Sequence, residues 1–415
     1  MKKFYIALVL SLTLLNGLLL TATAYAYDGK IIDSRTNAPI SGAVVTVNSE
    51  AVRTAKDGTF HLEGTGDTLM IRAPGYAKQR LATSSLGNTA EIALKPFKVK
   101  ALYLSSYGVA SKSLRESALQ TMRTNNMNAL VIDFKGDRSF IPFKVNIPLA
   151  TEIGAQNTIL VKDPAALITA LKQQNIYLIA RIVVFKDDLL AGAKPGWTVK
   201  RGGAEFRDRE RLRWLDPFQQ GVWEYNIAIA KAAAEMGFDE VQFDYVRFPD
   251  TKGVTFSQPS NMATRTHAIS SFLSKAHQEL APYNVMVAAD IFGYVPWNSD
   301  DTGIGQDIKK VVNSVDVVSL MLYPSGFQFG IPKYSNPIQH PYEIVRQSLQ
   351  RAQERTGVSG ERFRPWLQAF RDYAFHGGDF LESRMHMQVE AANDAGSSGY
   401  MFWNPRNVYA KGEFE

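Results

Sequence analysis

Three textures of apolar and polar positions follow one another along the chain. The first is a continuous apolar run, "FYIALVLSLTLLNGLLL" from Phe4 to Leu20, with Lys2 and Lys3 before it and small residues at Ala24 and Ala26 behind it. A charged start, an apolar middle and an A-x-A box are the parts of a secretory signal, so residues 1–26 are expected to be removed by cleavage after Ala26. An uncleaved membrane anchor is the alternative that the length of the run permits. The second texture, residues 27–97, alternates short β-branched runs with turn clusters such as Asn37-Ala38-Pro39 and Lys56-Asp57-Gly58. It predicts a small all-β sandwich.

The third texture, residues 98–415, repeats a short apolar strand followed by an amphipathic helical stretch. The strands read as "ALYLSSY" from Ala101, "ALVIDFKG" from Ala129, "YLIARIVVF" from Tyr177, "EVQFDYVRF" from Glu240, "MVAADIFGY" from Met286, "VVSLMLYPS" from Val317, "RPWLQAF" from Arg364 and "GYMFWNP" from Gly399. Seven helical stretches, "GVWEYNIAIAKAAAEMG" and "YEIVRQSLQRAQERTG" among them, separate the eight strands. That alternation predicts an α/β chain folded as a (β/α)8 barrel. An open doubly wound sheet would be expected to carry a glycine-rich phosphate turn, and "GIGQDI" at Gly303 lacks the third glycine. The chain continues only briefly past the eighth strand, so a final helix is expected to be short or absent, or its seam covered by the sandwich.

Composition sharpens this picture in two places. The 415 residues include no cysteine, which fits an oxidising compartment without a disulfide framework and excludes a cysteine-linked lipid anchor. No second run is long and apolar enough to span a bilayer, so no transmembrane segment is expected in the mature chain, and a periplasmic or secreted location follows from the signal. The net charge of +6 is spread without a basic block, which argues against nucleic acid and leaves room for an anionic envelope polymer. Nothing in the pattern bears on oligomeric state.

Active sites of such barrels lie at the carboxyl ends of the strands, so polar residues late in a strand carry the chemistry. They recur here: Asp133 and Lys135, Arg181 and Asp187, Asp244 and Arg247, Asp290, Tyr323 and Ser325, Gln368, then Trp403 with Asn404 and Arg406. Aromatic residues near the same ends, such as Tyr245, Phe292, Tyr294 and Trp366, supply flat faces for sugar rings, although packing accounts for a share of them. Two carboxylates on neighbouring strands are the minimum for glycoside cleavage. Asp244, with Arg247 nearby, suits a nucleophile or base; Asp290, set in apolar "AADIFGY", suits a general acid. For either aspartate a buried salt bridge is the competing role. Asp133, Lys135, Arg181, Arg247, Tyr323, Gln368 and Trp403 are expected to bind substrate, with Asp133 in reserve as a catalytic group. Six histidines occur without H-E-x-x-H or paired ligand spacing, and no G-x-S-x-G elbow is present, so neither a zinc, nor any other cofactor, nor a serine nucleophile is expected.

Several motifs carry resemblances. G-x-I-x-D-x-x-T-x-x-P-I-x-G-A-x-V from Gly29 to Val45, followed by "TAKDGTF", resembles the carboxypeptidase regulatory-like (transthyretin-type) β-sandwich. "GFDEVQFDYVRFP", with "IDFKGD", "ARIVVFKD", "WLDP", "MLYPS" and "GYMFWN", resembles the bacterial putative glycosyl hydrolase domain, which implies a hydrolase barrel over residues 98–410. Against the fourth-strand motif of family-18 chitinases, Asp239 and Asp244 match, but Gln242 and Val246 replace the middle aspartate and the catalytic glutamate. Against the α-amylase motif, Asp244 and Arg247 match, Gln242 and Phe248 do not, and Asp290 would stand where amylases use glutamate. Together these readings predict a glycoside hydrolase acting on an extracellular or cell-envelope polysaccharide or oligosaccharide. A catalytically silent barrel that binds polysaccharide or serves as an envelope scaffold is the alternative.

Overall fold

The computed structural model describes residues 25–86 and 90–415. The expected signal segment lies outside the described residues except for Tyr25 and Ala26, which open the first strand. Seven strands make the amino-terminal unit: β1 (Tyr25–Asp33), β2 (Val44–Val47), β3 (Glu50–Arg53), β4 (Thr59–Gly64), β5 (Thr68–Arg72), β6 (Gln79–Ala82) and β7 (Ala90–Leu94). They form two sheets, β4-β1-β7 and β3-β2-β5-β6, which enclose Ile31, Val45, Phe60, Leu62, Leu69, Ile71 and Ile92. In β4 the period-two alternation is plain: Phe60 and Leu62 point inward while His61 and Glu63 face solvent. This is a β-sandwich.

A second unit begins at β8 (Val99–Leu104) and continues through β9 (Ala129–Lys135) and β10 (Tyr177–Val183). Two short loop strands follow, β11 (Lys200–Arg201) and β12 (Ala204–Glu205), then β13 (Glu240–Asp244) and a third loop strand, β14 (Val254–Thr255). The series ends with β15 (Met286–Phe292), β16 (Val317–Met321), β17 (Trp366–Gln368) and β18 (Gly399–Trp403). Eight of these strands close into a parallel barrel in sequence order, with β18 pairing β8. At the seam Gly399 has φ +116°, and a Cβ there would meet the Val99 carbonyl oxygen at 1.9 Å, so only glycine lets the two strands close. Past β18, residues 404–415 form no helix. Instead Tyr409 donates to the Tyr103 carbonyl at 2.6 Å, tying this segment to β8. No helix among the described residues is long and apolar enough to cross a membrane.

The fourth barrel strand is shorter than its sequence suggests. "EVQFDYVRF" reads as one strand, yet β13 stops at Asp244 because Tyr245 takes φ +49°, a left-handed conformation that ends strand geometry. Arg247 therefore belongs to a loop. At the opposite end of the barrel the remaining carboxylates of this stretch are paired: Glu240 accepts from Tyr177 at 3.1 Å and from Arg364, and Asp239 is bonded by Lys172 and by the Leu178 amide. Both serve to plug the amino-terminal end.

The sandwich is seated on that end. Arg72, fully buried at the end of β5, donates through Nε to Asp316 at 3.3 Å; Arg53 of β3 lies 3.5 Å and His277 lies 2.9 Å from the other Asp316 oxygen. Burial opposes ionisation of Asp316, but His277, Arg72 and Arg53 outweigh it and hold the carboxyl well below the ordinary carboxylate range. A depressed native pKa adds stability that is complete above the unfolded value of about 3.9 and is lost as pH falls through the native value. Asp316→Asn is expected to lower stability at pH 7 by about 3–5 kcal/mol in urea unfolding, by leaving Arg72 buried without a counter-charge, and to flatten the acid limb of the stability curve.

Candidate active site

Alternation along the barrel strands decides which side chains enter the lumen. Val99, Ala101, Ala129, Val131, Ile179 and Met401 form an apolar floor. One step toward the carboxyl ends along the same strands stand Tyr103, Asp133, Arg181 and Trp403, and Asp244, Asp290 and Trp366 line the lumen with them. The last in-register pair of β13 and β15 is Phe243 with Ala289, so Asp244 and Asp290, one residue on, are neighbours across the two strands. Both line a cavity of about 340 Å³ at the barrel mouth, together with Asp137, Arg181, Arg247, Tyr323, Trp366 and Trp403.

Arg181 organises this layer. Its guanidinium donates twice to Asp244 Oδ2, at 2.9 and 2.6 Å, once to Asp133 Oδ1 at 2.7 Å and once to Asp137 at 3.0 Å. Its plane lies 4.8 Å from the Trp403 ring centroid, and Trp403 stacks on Tyr103 at 3.9 Å. Burial works against the cation, yet Asp137, Asp244 and Asp133 hold the Arg181 pKa well above its ordinary range. One guanidinium cannot neutralise three carboxylates equally. For Asp133, burial, helped by the charge of Asp137, pushes the carboxyl up in spite of Arg181, and the Tyr103 hydroxyl donates to its second oxygen at 2.7 Å.

Asp290 has a different environment. It is 1% exposed; Oδ1 accepts from Trp366 Nε1 at 2.8 Å, and Oδ2 has no partner among the described residues. Burial first, and then the charge of Asp244, push its pKa well above the carboxylate range, against the Trp366 hydrogen bond and Arg181. The same cavity thus holds one carboxyl group tied to a cation and one whose proton affinity burial raises. On the Asp244 side, Oδ1 also accepts from the Tyr245 amide at 2.6 Å, a bond set up by the left-handed Tyr245.

Two expected substrate ligands are elsewhere. The pairing register of β9 shifts between Asp133 and Lys135, a bulge that turns Lys135 out of the lumen. Lys135 is completely buried in a 2.6 Å ion pair with Asp187, the N-cap of the helix Asp188–Ala193, and is not among the residues that line the cavity. Gln368 is also fully buried; it bonds Ser325 and the Phe370 carbonyl and shapes the turn after β16 instead of facing a ligand. Asp133 sits behind Arg181 and borders a side depression that also includes Tyr107 and Phe140. Arg181, Arg247, Tyr323 and Trp403 do reach the cavity. Asp137, Arg209 and Gln306 line it without having been singled out. Asp137 follows the turn glycine of "FKGDR", off the strand period, and Arg209 lies in the charge run "RDRERLR", which reads as an ordinary solvated loop.

A family described as putative glycosyl hydrolase domain matches residues 101–409. The chain belongs to that family. The family match spans β8 to Tyr409, all but the first two residues of the barrel strands. Among solved structures, a hypothetical protein from Ruminiclostridium thermocellum is 36% identical, covering 46% of this chain and 96% of its own, at a TM-score of 0.41. The PgaB (BpsB) glycoside hydrolase domain from Bordetella bronchiseptica aligns at 16% identity over 75% of this chain and 95% of its own, TM-score 0.56. Alpha-L-fucosidase isoenzyme 2 from Paenibacillus thiaminolyticus aligns at 13% identity over 76% of this chain and 47% of its own, TM-score 0.52. The latter two share the barrel fold. No curated protein matches.

For this glycosyl hydrolase-family barrel, the raised proton affinity of Asp290 has a stability consequence with a definite sign. Its native pKa is raised, so above about pH 3.9 the unfolded chain gives up a proton that the folded one keeps, and stability falls as pH rises toward the native value. Asp290→Asn preserves the acceptor for Trp366 and removes that penalty. It is expected to be more stable than the native protein at pH 8, with no gain near pH 4, in parallel denaturant titrations.

Proposed function

We propose that the protein is a glycoside hydrolase that cuts an extracellular or cell-envelope polysaccharide with two carboxyl groups. The observation that carries this reading is the pairing, across neighbouring strands of one cavity, of charge-paired Asp244 with Asp290, whose proton affinity burial raises. Environments that drive two carboxyl groups apart assign an acid and a base. Asp290 gives its proton to the glycosidic oxygen as the C–O bond breaks. Asp244 either takes a proton from the attacking water or attacks the anomeric carbon itself, forming a glycosyl ester that water then cleaves. Arg181 holds Asp244 in position through two hydrogen bonds, while Trp403, Tyr323 and Arg247 line the cavity as candidates to hold sugar. The location beyond the cytoplasmic membrane rests on the signal pattern of residues 1–26 and on the absence of cysteine.

The competing reading, a silent barrel that binds polysaccharide, draws on the Arg181–Asp244 ion pair, since a carboxylate already bonded on both oxygens is a weaker nucleophile. Against it stands the position of Asp244 on the cavity wall and not behind it. The roles are separated by assay of product release from envelope polysaccharides and exopolysaccharides. Asp244→Asn and Asp290→Asn are each expected to reduce kcat by about 10²-fold or more with the fold retained. Near-native rates in both would leave only the binding role. Activity is also expected to fall as pH rises through the Asp290 pKa, because the general acid acts only when protonated, and that alkaline limb should be absent from the residual activity of Asp290→Asn.

A further inference from the structure

The catalytic cavity is the middle of a longer cleft. On one side it shares Arg209, Tyr245, Arg247, Asp250 and Phe292 with a groove of about 1410 Å³. On the other it shares Asp137 and Trp403 with the side depression of about 270 Å³ that ends at Tyr107, whose ring is 61% exposed. A chain lying in this cleft would pass over Asp244 and Asp290 with room at both ends.

The larger arm is cationic. Lys186 is neutralised by Glu210 at 2.8 Å and Asp208 at 3.7 Å. Four arginines of the groove, by contrast, have no carboxylate within ion-pair distance among the described residues. Arg247 bonds only the Phe248 carbonyl and lies over Trp214 at 4.8 Å; Arg351 bonds the Pro296 carbonyl and lies over Trp297 at 5.1 Å. Arg201 bonds the Thr251 hydroxyl and the Lys252 carbonyl, and Arg209, exposed at the junction with the cavity, bonds nothing described. Asp250 is the one acidic residue of the groove without a cationic partner. Between the arginines stand exposed rings: Phe292, 5.9 Å from Tyr294, and Phe329, 90% exposed and 6.4 Å from Tyr294.

An arginine laid on an aromatic face keeps one edge of its fork free, and that edge fits a planar carboxylate in two parallel hydrogen bonds. A neighbouring exposed ring accepts the C–H face of the same sugar. Unpaired cations in a walled groove also concentrate an anionic polymer before it binds. Resting on the hydrolase reading for its chemistry, we infer that the substrate is an acidic polysaccharide with carboxylates on its sugars, threaded across the mouth and cut internally.

Binding and cutting are tested separately, using the full chain. Asp290→Asn protein is run in native gels containing polygalacturonate, alginate or hyaluronate, with dextran, chitosan and heparin as neutral, cationic and sulfated comparisons. Retardation by at least one polyuronate is expected, abolished by raised salt and weakened about tenfold by adding Arg209→Glu and Arg351→Glu, both surface changes that leave the core intact. Retardation by dextran or chitosan equal to that by every polyuronate, or by heparin with none by the polyuronates, overturns the inference. Native protein should then shorten the bound polyuronate to a broad ladder before small products accumulate; mono- or disaccharides from the outset overturn internal cutting. Polyuronate binding without cleavage would preserve the acidic-glycan assignment and count against the hydrolase reading. Cleavage of a neutral or cationic glycan with no polyuronate binding would do the reverse.

Discussion

A single buried cation governs the barrel mouth. Arg181 is 1% exposed and surrounded by Asp133, Asp137 and Asp244, so its charge is shared among more carboxylates than it can satisfy. A lone guanidinium at that depth would cost several kcal/mol, and so would each lone carboxylate. The cluster is tolerable only as a unit. It fixes three strand ends relative to one another, with Trp403 and Tyr103 stacked against it as the wall of the cavity.

The uneven sharing explains why two aspartates of similar sequence context differ. Asp244 takes two of the four guanidinium bonds and a backbone amide besides. Asp290, on the neighbouring strand, has an indole N–H as its one hydrogen-bond donor among the described residues. Its raised proton affinity is therefore a product of placement: burial first, and then the negative charge of Asp244 beside it. Proton affinity follows from which strand a residue occupies, and the parallel register sets that.

Much of the fold was legible in the letters because strand and helix periods alternate so regularly from residue 98 onward. The eight barrel strands, the intervening helices and the sandwich are where the apolar pattern puts them. What failed to show was local departure from period. The bulge in β9 moved Lys135 into an ion pair with Asp187, and the left-handed Tyr245 shortened β13 and put Arg247 in a loop. Asp137 and Arg209 lie on excursions whose composition is that of any exposed loop, so only the folded chain reveals that they border the cavity. Asp244 and Asp290 stood out because a carboxylate inside an apolar strand is costly, a signal that does not depend on loop geometry.

The sandwich seated beneath the barrel has one last effect. Where its Pro74–Tyr76 turn meets Tyr177, Met286 and Arg364, the remaining space is about 10 Å³, at the lower limit for a single water molecule. With that end closely packed, the described opening onto Asp290 is the cavity at the carboxyl ends of the strands. A proton that Asp290 surrenders or regains through that opening shares it with whatever occupies the cleft, so a filled cleft would insulate the acid from bulk solvent until it empties.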